Sequence, residues 1–282
     1  MAMDLFPDGA HVRLRSRAHG VYLCADEDGH SVSWGESRAS LNAAWAVHRL
    51  VRGGASYVLL HGAAYGKYLG LGEVREDLPR GQGARRGRGR ACRVLQRAYV
   101  APEQGDILWE ALEAEDGSGG VVLRHRTRGV WRYFNDPSTV IIWTVEVIPP
   151  RQGPPELPLP PAAPVGGPIN AVHQPVFRRR IQYVRANAQG GFNNLVWGIL
   201  RFDGRSVFQL RRDLANELGE EESGITLCVR AGSQGRRTPL VINLPSNKET
   251  MEIIVLTTES EGAKALVYPD VDAQQRNREQ DF

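Results

Sequence analysis

The chain has 282 residues, which allows one large domain or two ordinary ones at about 100 to 200 residues per domain. Its 35 Lys and Arg residues against 32 Asp and Glu residues leave a formal net charge of +3, which excludes a uniformly polybasic nucleic-acid binder. A hydrophobic content of 41% is typical of soluble globular proteins. We find neither a secretory leader nor an apolar run that could span a bilayer, so we expect a cytoplasmic protein without membrane contact.

Residues with catalytic or metal-binding chemistry form no recognisable motif. Cys24, Cys92 and Cys228 are far apart and odd in number, which favours reduced thiols over disulfides or a zinc site. The seven histidines form no HExxH pair, and Gly62–Tyr68 lacks the Ser or Thr that a phosphate-binding loop needs to hold magnesium. The acidic turn at 26–28 has no further spaced ligands for a cation, so we expect a solvated turn there. We therefore predict no enzyme activity, no metal and no cofactor.

The first half of the chain repeats one pattern three times. Each unit begins with a short alternating strand, reaches a turn glycine with an aromatic residue two positions later, and ends on a tryptophan in a second strand. The glycine, aromatic and tryptophan sets are Gly20, Tyr22 and Trp45, then Gly66, Tyr68 and Trp109, then Gly129, Trp131 and Trp143. Units of this size cannot bury an apolar face alone, so three of them predict one shared core in a β-trefoil.

The three units differ in length. The third is short enough to have lost a hairpin, which leaves the trefoil either incompletely closed or closed by another segment. The second is the longest, and the excess is rich in arginine: Arg80, Arg85, Arg86, Arg88, Arg90, Arg93 and Arg97. No acidic residue lies between Arg80 and Ala101, so we expect seven locally uncompensated charges. These arginines are our candidate contacts for an anionic partner, and an unselected insertion is the alternative interpretation.

More than half of the seventeen prolines lie between Pro149 and Pro175. Proline fixes φ and removes the backbone donor, so this stretch favours extended polyproline II over a packed core. We predict a trefoil domain at 1–149 and a proline-rich linker at 150–176. PxxP spacings within the linker are the kind that a proline-reading groove binds.

The remainder predicts a second, smaller domain at 177–259 and a polar tail at 260–282. A helix is indicated by Ser206 with Gln209 three residues later, which is a capping box, and by Gly219 as the stop. Five strand-like runs surround it: Ile181–Arg185, Val196–Phe202, Ile225–Val229, Leu240–Leu244 and Met251–Leu256. The order ββαβββ with one amphipathic helix predicts a ubiquitin-like β-grasp.

Several short elements, in order, resemble the plant proteins of the DUF569 type, whose N-terminal part belongs to the actin-cross-linking, fascin-like β-trefoil superfamily. The elements are Val12–Ser16, Tyr22–Asp28, Tyr65–Leu69, Val94–Gln96 and Trp143–Val147. The second domain is similar to the C-terminal domain of the same family. The resemblance implies a mainly β fold of β-trefoil plus β-grasp, and a connection with actin.

Three functions remain open. The first is a non-catalytic, cytoskeleton-associated binding protein with actin as partner, its two domains presenting separate surfaces. The second is nucleic-acid or other polyanion binding through the Arg-Gly segment, which leaves a nuclear location open. The third is lectin-like carbohydrate binding by the trefoil, although Ala43, Ile107 and Ile141 stand where a ricin-type QxW element has glutamine. The sequence does not indicate an oligomeric state.

Overall fold

The computed structural model describes residues 1–73, 92–127, 129–131, 140–160 and 177–273. Within these ranges the N-terminal domain contains eleven strands and two short 3-10 helices, Ala2–Leu5 and Leu41–Ala43. The strands are β1 His11–Ser16, β2 Tyr22–Ala25, β3 Val32–Gly35, β4 Trp45–Arg52, β5 Ala55–Gly62, β6 Tyr68–Glu73, β7 Cys92–Arg97, β8 Trp109–Glu113, β9 Val121–His125, β10 Gly129–Val130 and β11 Ile142–Ile148.

Six of these strands form a closed antiparallel barrel. Strand β1 pairs with β4 and β11, β5 pairs with β4 and β8, and β9 pairs with β8 and β11. The hairpins β2–β3 and β6–β7 cap one end, and the short β10 pairs with β9. A six-stranded barrel with hairpins contributed by successive repeats is a β-trefoil, which confirms the predicted fold.

The repeat residues have the roles that their spacing predicts. Gly20, Gly66 and Gly129 have φ of 70°, 67° and 79°, a left-handed conformation that favours glycine. The three closing tryptophans are at most 1% exposed and belong to one core. Their burial confirms the one shared core that the three repeats predict.

The tryptophan side chains of the first two repeats form equivalent hydrogen bonds. Trp45 Nε1 donates to Leu23 O at 2.9 Å, and Trp109 Nε1 donates to Leu69 O at 2.9 Å. Both acceptors follow the aromatic residue of the turn by one position. The Nε1 of Trp143 is buried and has no hydrogen-bond partner among the described residues, which do not include the equivalent acceptor position, residue 132.

The third repeat is reduced, but the barrel still closes. Strand β10 has only two residues, and beyond it Ile141 N donates to Trp131 O at 3.0 Å. Closure comes from β11, which pairs with β1 over all six positions of β1 and with β9 at Ile142 and Trp143. The final strand of the repeat therefore closes the barrel. Both expectations, incomplete closure and closure by another segment, are wrong.

The C-terminal domain is a five-stranded sheet with one long helix. Its elements are β12 Arg178–Arg185, β13 Gly198–Asp203, α1 Val207–Leu218, the 3-10 helix Glu222–Gly224, β14 Ile225–Arg230, β15 Arg237–Pro239, β16 Met251–Thr257 and α2 Glu261–Lys264. The strand order is β13-β12-β16-β14-β15, with β12 and β16 parallel. This ββαβββ arrangement confirms the ubiquitin-like fold.

Helix α1 begins and ends as its capping residues predict. Ser206 Oγ accepts from Gln209 N at 3.2 Å, and Gly219 ends the helix with φ of 67°. The buried face, Val207, Leu210 and Leu214, packs into the core of the domain.

The strand predicted at Leu240–Leu244 is wrong, because the last strand before β16 covers Arg237–Pro239 instead. Leu240 and Leu244 are both buried, and the chain between them turns beneath α1, where Asn243 Oδ1 accepts from Val207 N at 3.3 Å. Their apolar side chains face the core from a loop rather than from a strand.

The first part of the predicted polar tail is folded. Helix α2 begins after Ser260, whose Oγ accepts from Ala263 N at 3.2 Å, and Tyr268 is buried. Farther on, Asp270 N donates to Pro149 O at 2.8 Å, which anchors this segment beside the start of the proline-rich stretch. Residues 161–176 and 274–282 lie outside the described ranges. Among the residues that the structure covers, no helix is long and apolar enough to cross a membrane.

Candidate functional site

The arginine-rich segment joins two paired strands. Glu73 at the end of β6 is in register with Cys92 at the start of β7, so residues 74–91 leave and return at the tip of one hairpin. Arg93 on β7 is exposed. Arg97 is different, because its Nε lies 3.0 Å from Asp106 Oδ2. The predicted set of seven locally uncompensated charges is therefore wrong for Arg97, whereas Arg80, Arg85, Arg86, Arg88 and Arg90 lie outside the described ranges.

The base of this hairpin is fixed to the first repeat. Gln96 is 3% exposed, and its Nε2 donates to Asp26 O at 3.0 Å and to Ser31 O at 2.7 Å. Its backbone N donates to His30 O at 2.8 Å. A buried amide with several partners holds β7 against the 26–31 turn of the first repeat, and so anchors the hairpin that the arginine-rich segment joins.

A second feature, which we did not predict, is an extensive interface between the two domains. Arg236 donates from both terminal nitrogens to the carboxylate of Asp8, at 2.9 Å and 3.2 Å, in a bidentate ion pair. The backbone N of Arg236 donates to Tyr68 Oη at 3.0 Å. Beside them, His61 Nδ1 lies 3.2 Å from Thr238 Oγ1. The second trefoil repeat is thus bonded directly to the β15 segment.

The acidic turn at 26–28 belongs to the same interface. Arg205 Nη2 donates to Glu27 Oε2 at 2.8 Å, and Ser246 Oγ donates to Glu27 O at 3.1 Å. Nearby, Lys67 forms an ion pair with Glu249. The expectation of a merely solvated turn is wrong, because this turn docks the ubiquitin-like domain.

Backbone contacts complete the interface at Tyr99. Its N donates to Ala231 O at 2.9 Å, and its O accepts from Gln234 N at 2.9 Å. A Cβ at Gly232 would lie 2.5 Å from Tyr99 O, and φ at Gly232 is 88°, so both conformation and space require glycine there. The two domains therefore dock through complementary surfaces.

Between the domains lies an open cleft of about 450 Å³, which we call the interdomain cleft. Its polar lining combines two trefoil histidines with four side chains of the ubiquitin-like domain: His11, His61, Arg230, Arg236, Arg237 and Thr238. No aspartate or glutamate belongs to the described lining.

The histidines at this interface are uncharged at neutral pH. Burial lowers the pKa of His11 to about 4. Burial, reinforced by His11, His48 and Arg236, lowers the pKa of His61 to about 3. For His48, burial is again the main cause, and the pKa falls to about 4. Groups with such low pKa values are weak general bases at pH 7.

The two cysteines whose side chains are described are also unreactive at neutral pH. Burial raises the pKa of Cys24 to about 11 and that of Cys228 to about 12. Both thiols therefore stay protonated at neutral pH, and the thiol form is a poor nucleophile. Within the described ranges, no group of three His, Cys, Asp or Glu side chains could hold a metal ion.

The sequence contains little signal for the interface. His61 and His125 occupy equivalent repeat positions, which indicates a structural role for both. His125 does pack edge-on against Trp109, with ring centroids 5.2 Å apart. His61 instead contacts the second domain, and nothing local marks Arg236 or Thr238 as its neighbours.

Two family models match the chain. The model described as "Beta-trefoil domain of unknown function (DUF569)" matches residues 3–86. The model described as "DUF569 associated ubiquitin-like domain" matches residues 177–256. Together they cover most of the first two trefoil repeats and nearly all of the β-grasp sheet. A search of curated protein sequences returned no match.

Solved structures match the chain at low similarity. The GlcNAcα1-4Gal-releasing endo-β-galactosidase from Clostridium perfringens matches at 19% identity and a TM-score of 0.32, over 50% of this chain and 33% of the galactosidase chain. A structure titled "BEL beta-trefoil apo crystal form 3" matches at 9% identity and a TM-score of 0.35, over 50% of this chain and 95% of that chain. Both TM-scores are below 0.5, so neither match bears on function.

Proposed function

Because the chain belongs to the DUF569 type, with a β-trefoil and its associated ubiquitin-like domain, we propose that it is a non-catalytic binding protein for an anionic partner. The observation that supports this most strongly is the hairpin β6–β7. Its base is fixed by Gln96, and the arginine-rich segment joins its paired ends at Glu73 and Cys92. A rigid scaffold that carries a functional loop is a common arrangement in binding proteins.

The charge distribution favours an anion as partner. Arg93 is exposed near the tip of the hairpin, next to Cys92, and the preceding residues from Arg80 onward contain no acid. Of the two candidate arginines that the structure describes, Arg97 is neutralised by Asp106. Guanidinium groups bind carboxylates and phosphates in bidentate geometry, and a local positive field raises the rate of encounter with an acidic surface.

The non-catalytic part of the proposal is supported by the pKa values of five buried side chains. Burial holds the pKa of His11, His48 and His61 at about 3 to 4 and raises those of Cys24 and Cys228 to about 11 and 12. A general acid or base works best with a pKa near the operating pH, and these five groups lie far from it.

For the partner we propose filamentous actin in the cytoplasm, from the resemblance to the actin-cross-linking, fascin-like trefoils. The filament surface is acidic, so the arginine-rich segment is a complementary contact. Docking of the two domains alters the expected geometry, since the trefoil and the ubiquitin-like domain present a joint surface rather than two independent ones.

Co-sedimentation with actin filaments tests this function. The loop variant has glutamine in place of four arginines of the segment: Arg85, Arg86, Arg88 and Arg90. The matched control has glutamine in place of four exposed arginines of the other domain: Arg178, Arg180, Arg201 and Arg212. We expect the parent and the control to pellet with filaments at low salt. We expect the loop variant to bind at least about tenfold more weakly, the loss of about 1.4 kcal/mol. A parent that stays in the supernatant, or a loop variant that pellets like the control, contradicts the proposal.

A second candidate is a single-stranded nucleic acid, favoured by the alternation of arginine and glycine from Arg86 to Arg90. Such a segment makes sequence-tolerant phosphate contacts. Anisotropy of a fluorescent RNA oligonucleotide, with the same two variants, distinguishes the candidates. RNA binding tighter than actin binding, and lost in the loop variant alone, would replace actin with a polyanion as partner.

A further inference from the structure

The interdomain cleft carries an unbalanced positive charge. Two of its three arginines are paired, Arg236 with Asp8 and Arg230 with Glu252 at 2.9 Å. The third is Arg237, whose Nη1 donates to the carbonyl of Gly190 at 2.7 Å. Within the part of the chain that the structure describes, Arg237 forms no ion pair. Its charge therefore faces a cleft whose described lining contains no acid.

A buried donor lies on the opposite wall. His11 on β1 lines the cleft and is only 6% exposed, and its ring makes no hydrogen bond to any described residue. By contrast, the neighbouring His61 is bonded to Thr238. A polar ring that lines a cleft and bonds to no described residue is available to orient a ligand there.

The rest of the cleft is largely apolar. Ala46 and Val47 of β4 form the trefoil side, while Ala265, Leu266 and Val267 after α2 form the other side together with the ring of Phe192. A cleft of about 450 Å³ is within the usual range of about 300 to 1,000 Å³ for small-molecule sites. Sites of this kind combine an apolar wall with a few polar groups that orient the ligand, and they are frequent between domains.

From these observations we propose that the interdomain cleft binds a small organic anion with an aromatic or aliphatic body. Arg237 pairs with the anionic group, and the His11 ring donates a hydrogen bond to it. The apolar body lies against Val47, Leu266 and Val267. Because both domains supply contacts, the bound anion also stabilises the docked arrangement. The inference does not depend on the proposed partner, since none of the described lining residues is a candidate arginine of the arginine-rich segment.

The test uses 8-anilinonaphthalene-1-sulfonate, a fluorescent aromatic anion, titrated into the full chain. The variants are Arg237→Gln, which removes the charge, and Val267→Trp, which fills the cleft at a residue 43% exposed and so tolerant of substitution. Arg201→Gln on β13 is the control, because it removes an exposed arginine outside the cleft lining. Circular dichroism melting of each variant confirms folding.

We expect one saturable site in the parent and in Arg201→Gln. Binding is expected to be about tenfold weaker in Arg237→Gln and absent in Val267→Trp. Phenylacetate should displace the dye, and the neutral 2-phenylethanol should not. The proposal is overturned if both cleft variants bind like the parent, or if the alcohol competes as well as the acid. Actin co-sedimentation of the cleft variants should equal that of the parent, which separates the two proposals.

Discussion

Replacing Gly66 with alanine tests whether the two domains are docked as described. Gly66 has φ of 67°, and a Cβ there would lie 3.1 Å from Thr238 Oγ1 and 3.3 Å from Val229 Cγ1, both in the ubiquitin-like domain. Contacts at 3.0 to 3.4 Å are tight, so Thr238 must move, and with it the hydrogen bond to His61. The substitution therefore affects the interface as well as the turn.

The repeat supplies matched controls. Gly20 and Gly129 hold the equivalent turn positions with φ of 70° and 79°, and neither would press on backbone or on the other domain. At Gly20 the new methyl would meet only the flexible end of Arg15, and at Gly129 no described atom lies within 4 Å. These two substitutions isolate the cost of the left-handed conformation, about 1 to 2 kcal/mol.

The glycine variants are expected to differ in unfolding free energy, because only at Gly66 does the new methyl group contact the other domain. An alanine at either control position costs about 1 kcal/mol, because the reduced entropy of the unfolded chain offsets part of the strain. At Gly66 the weakened hydrogen bond adds about 0.5 to 1.5 kcal/mol. Urea unfolding followed by tryptophan fluorescence measures all three variants. If Gly66→Ala is no more destabilising than Gly129→Ala, the ubiquitin-like domain does not pack on this turn.

Three further predictions concern buried side chains. Trp45→Phe should lower the unfolding free energy by about 1 kcal/mol more than Trp143→Phe, because Trp45 Nε1 donates to Leu23 O whereas Trp143 Nε1 has no described partner; chemical denaturation measures the difference, and equal losses would contradict it. Burial lowers the pKa of His61 to about 3, below the unfolded value of about 6.5, so the unfolded state takes up the proton first and stability falls as pH drops from 6.5 towards 3. His61→Gln should flatten that pH dependence of the urea midpoint, and an unchanged slope would refute the assignment. Cys24 and Cys228 should resist iodoacetamide at pH 8 until urea unfolds the protein, as measured by mass spectrometry; rapid native labelling would count against their burial.

The parts of the fold that the sequence predicts are those governed by local chemistry. A glycine with positive φ, an aromatic two residues later and a closing tryptophan recur at Gly20, Gly66 and Gly129, and each set determines one repeat. Helix α1 is similarly specified by its Ser206 cap and Gly219 stop. These features can be read over a few residues and need no knowledge of distant partners.

The interface and the cleft depend on contacts that no local pattern encodes. Asp8 and Arg236 are 228 positions apart, and Glu27 and Arg205 are 178 apart. Each looks like an ordinary solvated charge in the sequence. The same limitation explains the strand expected at Leu240–Leu244, where an apolar run is buried from a loop. The partner of Arg97, Asp106, lies beyond the arginine-rich stretch, so the charge pattern of that stretch alone does not indicate the ion pair.

The most direct test of the proposed function is the salt dependence of the dissociation constant for actin filaments. It is measured for the parent and for the variant with Arg85, Arg86, Arg88 and Arg90 replaced by Gln. If these arginines bind an anionic surface, the affinity of the parent for filaments should fall steeply between about 50 and about 200 mM salt, because salt screens exposed charges. The variant should then bind weakly at every salt concentration, with a shallow dependence. Equal affinities and equal salt dependence for the two proteins would contradict the proposed role of the arginine-rich segment.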